Sequence, residues 1–281
     1  MTAQATDNSE AGYSTFSRAL VASSLPSLAW SRDRATRPIA AAARTTVLGR
    51  IPPAEREWLR RIEDRRRELA RTSAVTGPEF HAGERPESGL FSVLHGPVSI
   101  ASAASVVSVS PLWGLFLMRL VRELSPRSCI ELGTGFGLSG CYQGAALELN
   151  GAGTLTTLEG APEWAMIAEQ GFAELELGRV EVRVGPLGET LQRLLSESPP
   201  VDFAFVDAEH GEAATLGYLG ALLPHMSDAG VVVFDDISFS REMIRAWRSI
   251  RRHPRISFSI GMWRFGIAVV ARAGVAASTA T

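Results

Sequence analysis

The apolar positions from Ser128 onward alternate between two spacings. Short runs rich in β-branched and aromatic residues, at 128–132, 154–158, 180–184, 201–206 and 231–234, predict strands. Between and after them, 138–149, 162–175, 187–195, 213–223 and 241–251 carry apolar residues at helical spacing. Such alternation predicts an α/β fold in which crossover helices connect a parallel sheet. Two more apolar strands, 256–260 and 265–271, are separated only by Gly261 to Arg264. That gap is too short for a parallel crossover, so the final pair is expected to run antiparallel.

Ahead of Ser128 the pattern is looser. Pro52-Pro53 opens a helix expected over 54–72, with Trp58, Leu59, Ile62 and Leu69 near helical spacing. Its arginines suggest a nucleic-acid face, yet Glu57 stands four before Arg61 and Glu63 four before Arg67, as on a solvated amphipathic helix. A Gly/Pro-rich connection over 77–96 leads to a Val/Ser-rich segment and a helix expected over 112–124. Residues 1–50 are rich in Ala, Ser, Thr and Arg with little periodicity, so they are expected to form a disordered arm. The part from Ala11 to Arg50, Arg- and Ser-rich with the single acid Asp33, also superficially matches an organellar transit peptide. The expected organisation is an arm at 1–50, an N-terminal helical cap at 51–110, a main domain at 111–273 and a disordered tail at 274–281.

Composition narrows the function. Apolar content of 46% and charge of 21% over 281 residues are those of a soluble globular protein. No run approaches the ~20 apolar residues of a membrane span. A formal charge of -2 supplies no field to gather nucleic acid or anionic lipid. A cytoplasmic protein with a small-molecule partner is expected, with neither nucleic acid nor membrane, and a homodimer is left open. All 28 basic residues are arginine, which removes lysine as a base or Schiff-base former. Cys129 and Cys141 suit neither a zinc site nor a disulfide framework and read as buried fillers.

The candidate chemistry starts at "ELGTGFGLSG", Glu131 to Gly140, behind the first strand. Gly135-Phe-Gly137-Leu-Ser-Gly140 satisfies the dinucleotide pattern G-x-G-x-x-G, with Glu159 at about the distance of a ribose contact. A pyrophosphate on that loop would be opposed by an acid at its mouth. Glu131 stands just ahead of Gly133, where a carboxylate suits the ammonium and sulfonium of S-adenosylmethionine better than a phosphate. The alternative is that Glu131 bonds the loop itself.

"CIELGTGFGLSG", "LTTLEG", "VDFAFVDAEH" and "GVVVFDDISFS", in this order and spacing, resemble the class I S-adenosylmethionine-dependent methyltransferases. The likeness is to bacterial O-methyltransferase-like members related to the catechol type, and it runs from about Ser108 to Ala271. It implies a Rossmann-like, doubly wound, seven-stranded sheet with an antiparallel final hairpin. By position, Glu131, Gly133, Thr134, Gly135 and Gly137 would line the methionine part of the cofactor, S-adenosyl-L-methionine. Glu159 would take both ribose hydroxyls, and Gly185 and Leu187 would lie near the adenine.

Asp207, Asp235 and Asp236 end two successive strands at the carboxyl edge, where ligands bind in open α/β sheets. Three acids there need a positive partner, and Mg2+ held by Asp207, Asp235 and Asp236 would activate a substrate hydroxyl. Metal-dependent relatives of the catechol type show Asp, then Asp-Asn, and a lysine after the fourth strand; this chain has Asp-Asp and no lysine. His210 stands in the place of that lysine. It is the expected general base, with Asp207 as metal ligand, as a cofactor contact, or as base in a metal-free reaction. The alternatives are that Asp236 caps the helix that follows and that His210 is a loop histidine. Acceptor-pocket walls are expected from the segment before Ser110, from Trp113 and from Met262-Trp263. The reaction expected is O-methylation of a small-molecule hydroxyl; the alternatives are metal-independent transfer to another atom, a dinucleotide oxidoreductase, or a non-catalytic cofactor-binding protein.

Overall fold

The computed structural model describes residues 15–30, 35–48, 50–76 and 98–271. The N-terminal part forms α1 (Thr15–Ser23), α2 (Leu25–Trp30), α3 (Thr36–Leu48) and α4 (Pro53–Leu69). A minimal antiparallel pair follows, β1 (Val75–Thr76) with β2 (Val98–Ser99), then α5 (Ile100–Val107) and α6 (Pro111–Leu124). The alternating part runs β3 (Ser128–Leu132), α7 (Leu138–Asn150), β4 (Thr154–Glu159), α8 (Pro162–Glu174), β5 (Val180–Val184) and α9 (Leu187–Glu197). It continues with β6 (Val201–Val206), α10 (Glu212–Leu222), β7 (Met226–Phe234), α11 (Arg241–Ile250), β8 (Ile256–Met262) and β9 (Phe265–Val270).

Strands β3 to β9 form a seven-stranded sheet in the order β5-β4-β3-β6-β7-β9-β8. β3 to β7 are parallel, while β9 runs antiparallel to both β7 and β8. The chain winds outward from β3 to β5 and then returns to β6, so a crevice opens at the carboxyl ends of β3 and β6. Alternating side chains split the core into two layers. Cys129, Phe203, Phe205, Val231 and Val233 face the layer that holds α6 and α7, and Ile130, Leu132, Ala204, Val206 and Val232 face the layer of α9, α10 and α11.

The disordered arm expected over 1–50 is corrected across its described part, which is helical. Ile39, Ala42, Ala43 and Thr46 recur at helical spacing and are buried, and this narrow face of small residues lies along α6. Its composition hides the pattern, because alanine fits a close helix contact without raising hydrophobicity much. α1 reaches β8 at the far edge of the sheet. Glu55 on α4 accepts from Arg119 Nε at 3.0 Å and Arg122 Nη1 at 2.7 Å, a buried ion cluster joining α4 to α6. Residues 1–14, the whole connection 77–96 and the tail 274–281 lie outside the described residues. Among the described residues no single helix is long and apolar enough to cross a membrane.

Candidate active site

The glycine loop leaves β3 and enters α7 with Gly133, Gly135 and Gly137 all at positive φ, +92°, +53° and +82°. Gly133 is held hardest: a Cβ there would lie 1.9 Å from the Asp207 carbonyl oxygen. The loop therefore lies directly against the end of β6, and only glycine permits that approach. Gly133 and Thr134 both donate backbone N–H groups to the Leu158 carbonyl, fixing the loop to β4 as well.

Glu131 does not line the crevice. It is fully buried on the α7 side of β3, accepting from Thr157 Oγ1 and from Gln143 Nε2, each at 2.6 Å. Thr134 Oγ1 lies 2.6 Å from the same Thr157 hydroxyl, so a chain of hydrogen bonds ties the loop to this carboxyl group. Burial pushes Glu131 up to about 7, against the hydrogen bonds from Thr157, Ser139 and Gln143. The expectation of a direct cofactor contact by Glu131 is thereby corrected. Side chains alternate along a strand, and position 131 points to the helix layer rather than to the crevice.

Glu159, at the end of β4, does line the crevice. Its Oε2 accepts from Gly135 N at 2.7 Å and its Oε1 from Ala161 N at 2.9 Å. Burial lifts it to about 7, opposed by backbone N–H groups of Ala161, Gly135, Gly160 and Thr134. Each oxygen keeps a second lone pair for a ligand hydroxyl. The cleft they edge encloses about 920 Å³ including its open mouth, and Gly133, Thr134, Gly135, Leu187, Asp207 and His210 also line it. Trp164 and Phe136, missed in the sequence, form an aromatic wall with ring centroids 4.9 Å apart. Gly137 and Gly185 are not in the lining. Gly137 packs on Ala168 and Phe172, and Gly185 donates to the Glu159 carbonyl at 3.0 Å, so both shape the loops behind the cleft.

At the other end, Asp207 follows β6 and Asp235-Asp236 follow β7. Asp235 is buried and both its oxygens accept from Arg264, from Nε and Nη2, each at 2.7 Å. Arg264 Nε also stands 3.6 Å from Asp236 Oδ1. Burial opposes the guanidinium's charge, but Asp235 outweighs it and Arg264 is held above its ordinary range. The positive partner of the three acids is thus an arginine. A divalent ion does not fit here, because the guanidinium already occupies both oxygens of Asp235 and would repel a second cation. The assignment of Asp207, Asp235 and Asp236 as metal ligands is corrected on this ground. Among the described residues no cluster of three or more His, Cys, Asp or Glu could hold a metal.

His210 is buried with Nε2 3.5 Å from both Asp207 Oδ1 and Asp236 Oδ2. Neither ring nitrogen makes a hydrogen bond within the described residues. Burial disfavours its charged form, but Asp207, Asp236 and Asp235 outweigh burial and raise it above its ordinary range. Asp207 is pushed up to about 7 by burial and then by Asp235. Asp236 caps no helix: Ser240 is the N-cap of α11, its hydroxyl accepting from Met243 N at 3.1 Å.

A second cleft of about 730 Å³ adjoins the first and shares Asp236 and Arg264 with it. Leu20, Ser110, Trp113, Ser238, Phe239 and Trp263 complete its walls. Met262 is buried in the core and takes no part. Leu20 and Arg264 went unnoticed in the sequence, where each is one of many similar residues. The usable signal was three acids gathered at one sheet edge in a chain whose basic residues are all arginine. Both cysteines are buried, and burial pushes the Cys141 thiol up to about 12, which leaves it an inert filler.

The strand order, the glycine loop against β6 and the acid ending β4 define the class I methyltransferase fold. Residues 130–237 match a family described as a methyltransferase domain. A relative in Mycobacterium sp. (strain KMS), assigned by name alone to the O-methyltransferases, is 32% identical over 142 residues, 46% of this chain and 63% of its own length. A catechol O-methyltransferase of Niastella koreensis is 35% identical over 114 residues, covering 40% of this chain and 51% of that protein. The solved O-methyltransferase of Bacillus cereus in complex with S-adenosylhomocysteine (SAH) superposes with a TM-score of 0.51 at 26% identity, over 61% of this chain and 86% of its own. The chain spans less than two thirds of the length of the mycobacterial relative. The chain resembles class I S-adenosylmethionine-dependent O-methyltransferases in fold and, over less than half of its length, in sequence.

Proposed function

We propose that the protein transfers a methyl group from S-adenosylmethionine to an oxygen of a small-molecule acceptor. The observation that carries this reading is the charge along the first cleft: Glu159, Asp207, Glu209 and Asp236 line it, against Arg264 and His210. Arg264 is spent on Asp235, so the surplus is negative. A ligand with a sulfonium and an ammonium suits that surplus, whereas a dinucleotide pyrophosphate would be repelled. The B. cereus protein, similar in fold, was solved with SAH, and this supports the same class of ligand.

In this reading Glu159 holds the ribose hydroxyls, Leu187 lies against the adenine, and Gly133, Thr134 and Gly135 carry the methionine part. Glu131 and Gly137 act from behind by fixing the loop, and Gly185 by fixing the turn beside Glu159. The sulfonium supplies an activated methyl group. His210 takes the proton of the acceptor hydroxyl, with Asp207 and Asp236 orienting the ring and stabilising its charge. The oxygen lone pair then forms the new C–O bond, the S–C pair departs on sulfur, and the proton stays on His210. The second cleft holds the acceptor body against Trp113, Phe239 and Trp263, so the hydroxyl enters at Asp236 beside His210. Holding the reacting atoms in line supplies much of the rate, since the leaving group is already good.

The test is incubation with methyl-labelled S-adenosylmethionine and a panel of neutral hydroxylated aromatics. Label in an O-methyl product, lost on His210→Gln, is the expected result. Absence of transfer to every member of the panel, or equal transfer by the variant, would count against the reading.

A further inference from the structure

The three strand-end acids raise a question that the cofactor cleft does not answer: what their fixed cation is for. Arg264 reaches Asp235 from the tip of the β8–β9 hairpin. Its turn is clamped, with Ile237 N donating to the Arg264 carbonyl at 3.0 Å and Ser238 Oγ to the Trp263 carbonyl at 2.6 Å. Trp263 holds φ +68°, where a hairpin normally places glycine, so the turn is kept at a cost. Of the five guanidinium N–H donors, two are engaged by Asp235 in a planar fork. The same side chain borders both clefts at their junction with Asp236.

We propose that Arg264 is the resident cation of this acid cluster and presents its remaining N–H donors to the acceptor oxygen, so that methyl transfer runs without a divalent ion. The proposal rests on the methyl-transfer reading above and adds to it a residue and a metal independence. A guanidinium stays protonated throughout, so it takes no proton; it stabilises the oxygen as the hydroxyl yields its proton to His210. Asp235 serves as a positioning residue, because it holds the fork at the junction. Unlike a metal ion, this cation is covalently part of the hairpin and is not removed by chelation.

The experiment compares wild type with Arg264→Met by Mn2+ titration, read by electron paramagnetic resonance with and without SAH. Wild type is expected to take up no stoichiometric Mn2+ below about 1 mM. Arg264→Met, which leaves Asp207, Asp235 and Asp236 without their counter-ion, is expected to gain Mn2+ binding while holding SAH within about threefold of wild type. With an acceptor from the labelled screen, wild-type turnover is expected to survive excess chelator, and the variant to lose about 100-fold or more in kcat. Stoichiometric Mn2+ binding by wild type, equal Mn2+ uptake by the two proteins, or turnover abolished by chelator and restored by Mg2+ would overturn the proposal. Should Arg264→Met not fold, the double variant Asp235→Asn/Arg264→Met removes both buried charges together. It is expected to keep SAH and lose turnover to the same degree; retained turnover overturns the proposal. Failure of wild type to bind SAH would instead count against the methyl-transfer reading, with the Mn2+ comparison still readable.

Discussion

The two ends of the crevice are built in opposite ways. Around the glycine loop, every acid is satisfied by short hydrogen bonds from nearby chain: Glu131 by Thr157 and Gln143, Glu159 by Gly135 and Ala161. Around Asp207 and Asp236, charge is balanced at longer range, by a histidine 3.5 Å from both and by Arg264 Nε 3.6 Å from Asp236. The first end is a rigid cradle set by backbone geometry. The second is an electrostatic cluster in which Asp207, His210 and Asp236 are all raised above their ordinary ranges. A binding end gains from rigidity, while a reacting end needs groups whose protonation can change.

The largest way to break this contrast is Gly133→Ala. Its Cβ would meet the Asp207 carbonyl at 1.9 Å, and the residue holds φ +92°. The cradle and β6 are expected to separate, with a loss of about 3 kcal/mol or more in stability and no measurable SAH binding by calorimetry. Full SAH affinity in this variant would show that the loop does not depend on its contact with β6.

His210→Gln strikes the other end. Turnover is expected to fall about 100-fold or more, with SAH affinity unchanged. A parallel loss of SAH affinity would make His210 part of the cradle.

A smaller effect separates the ends by pH. Glu131 titrates at about 7 when folded, raised by burial from its ordinary 4.5. Between those values the folded state holds a proton that the unfolded state has released, so stability falls as pH rises through this window and levels off above it. Glu159 and Asp207, both pushed up to about 7, act in the same direction. The thermal midpoint of the ligand-free protein is expected to be higher at pH 5 than at pH 8, with Glu131 contributing about 2 kcal/mol. Glu131→Gln should flatten the slope. A midpoint that climbs over this range contradicts the burial of that carboxyl group.

Smallest is Trp263→Gly, which suits the hairpin's φ of +68° but removes an exposed wall of the second cleft. Stability is expected to change by no more than about 1 kcal/mol, while KM for the acceptor rises and SAH affinity stays constant. An unchanged KM would leave that face without a part in acceptor binding.

The same contrast explains what the sequence made legible. Ser128–Leu132, Val180–Val184 and Val201–Val206 end where their apolar runs end, and the short 261–264 gap announced the antiparallel hairpin. β7 begins at Met226 rather than at 231, because Ser227 to Gly230 read as a turn yet stay in the strand across a bulge. The cradle's glycines lie within five residues of one another and Glu159 ends the next strand, so both could be found by spacing. Glu131 was placed on the wrong side because a strand position gives a residue's height at the sheet edge before its face. The Asp207–Asp236 end joins Leu20, Asp207, Asp236 and Arg264 from four separate parts of the chain, and no local pattern links them. The alanine-rich α3 was hidden for a related reason, since its partner face on α6 is what makes it stable.

The most direct measurement is a pair of calorimetric titrations of the purified protein, one with SAH and one with NAD. Saturable one-to-one binding of SAH and no heat from NAD are expected. Saturable binding of NAD with no response to SAH would contradict it.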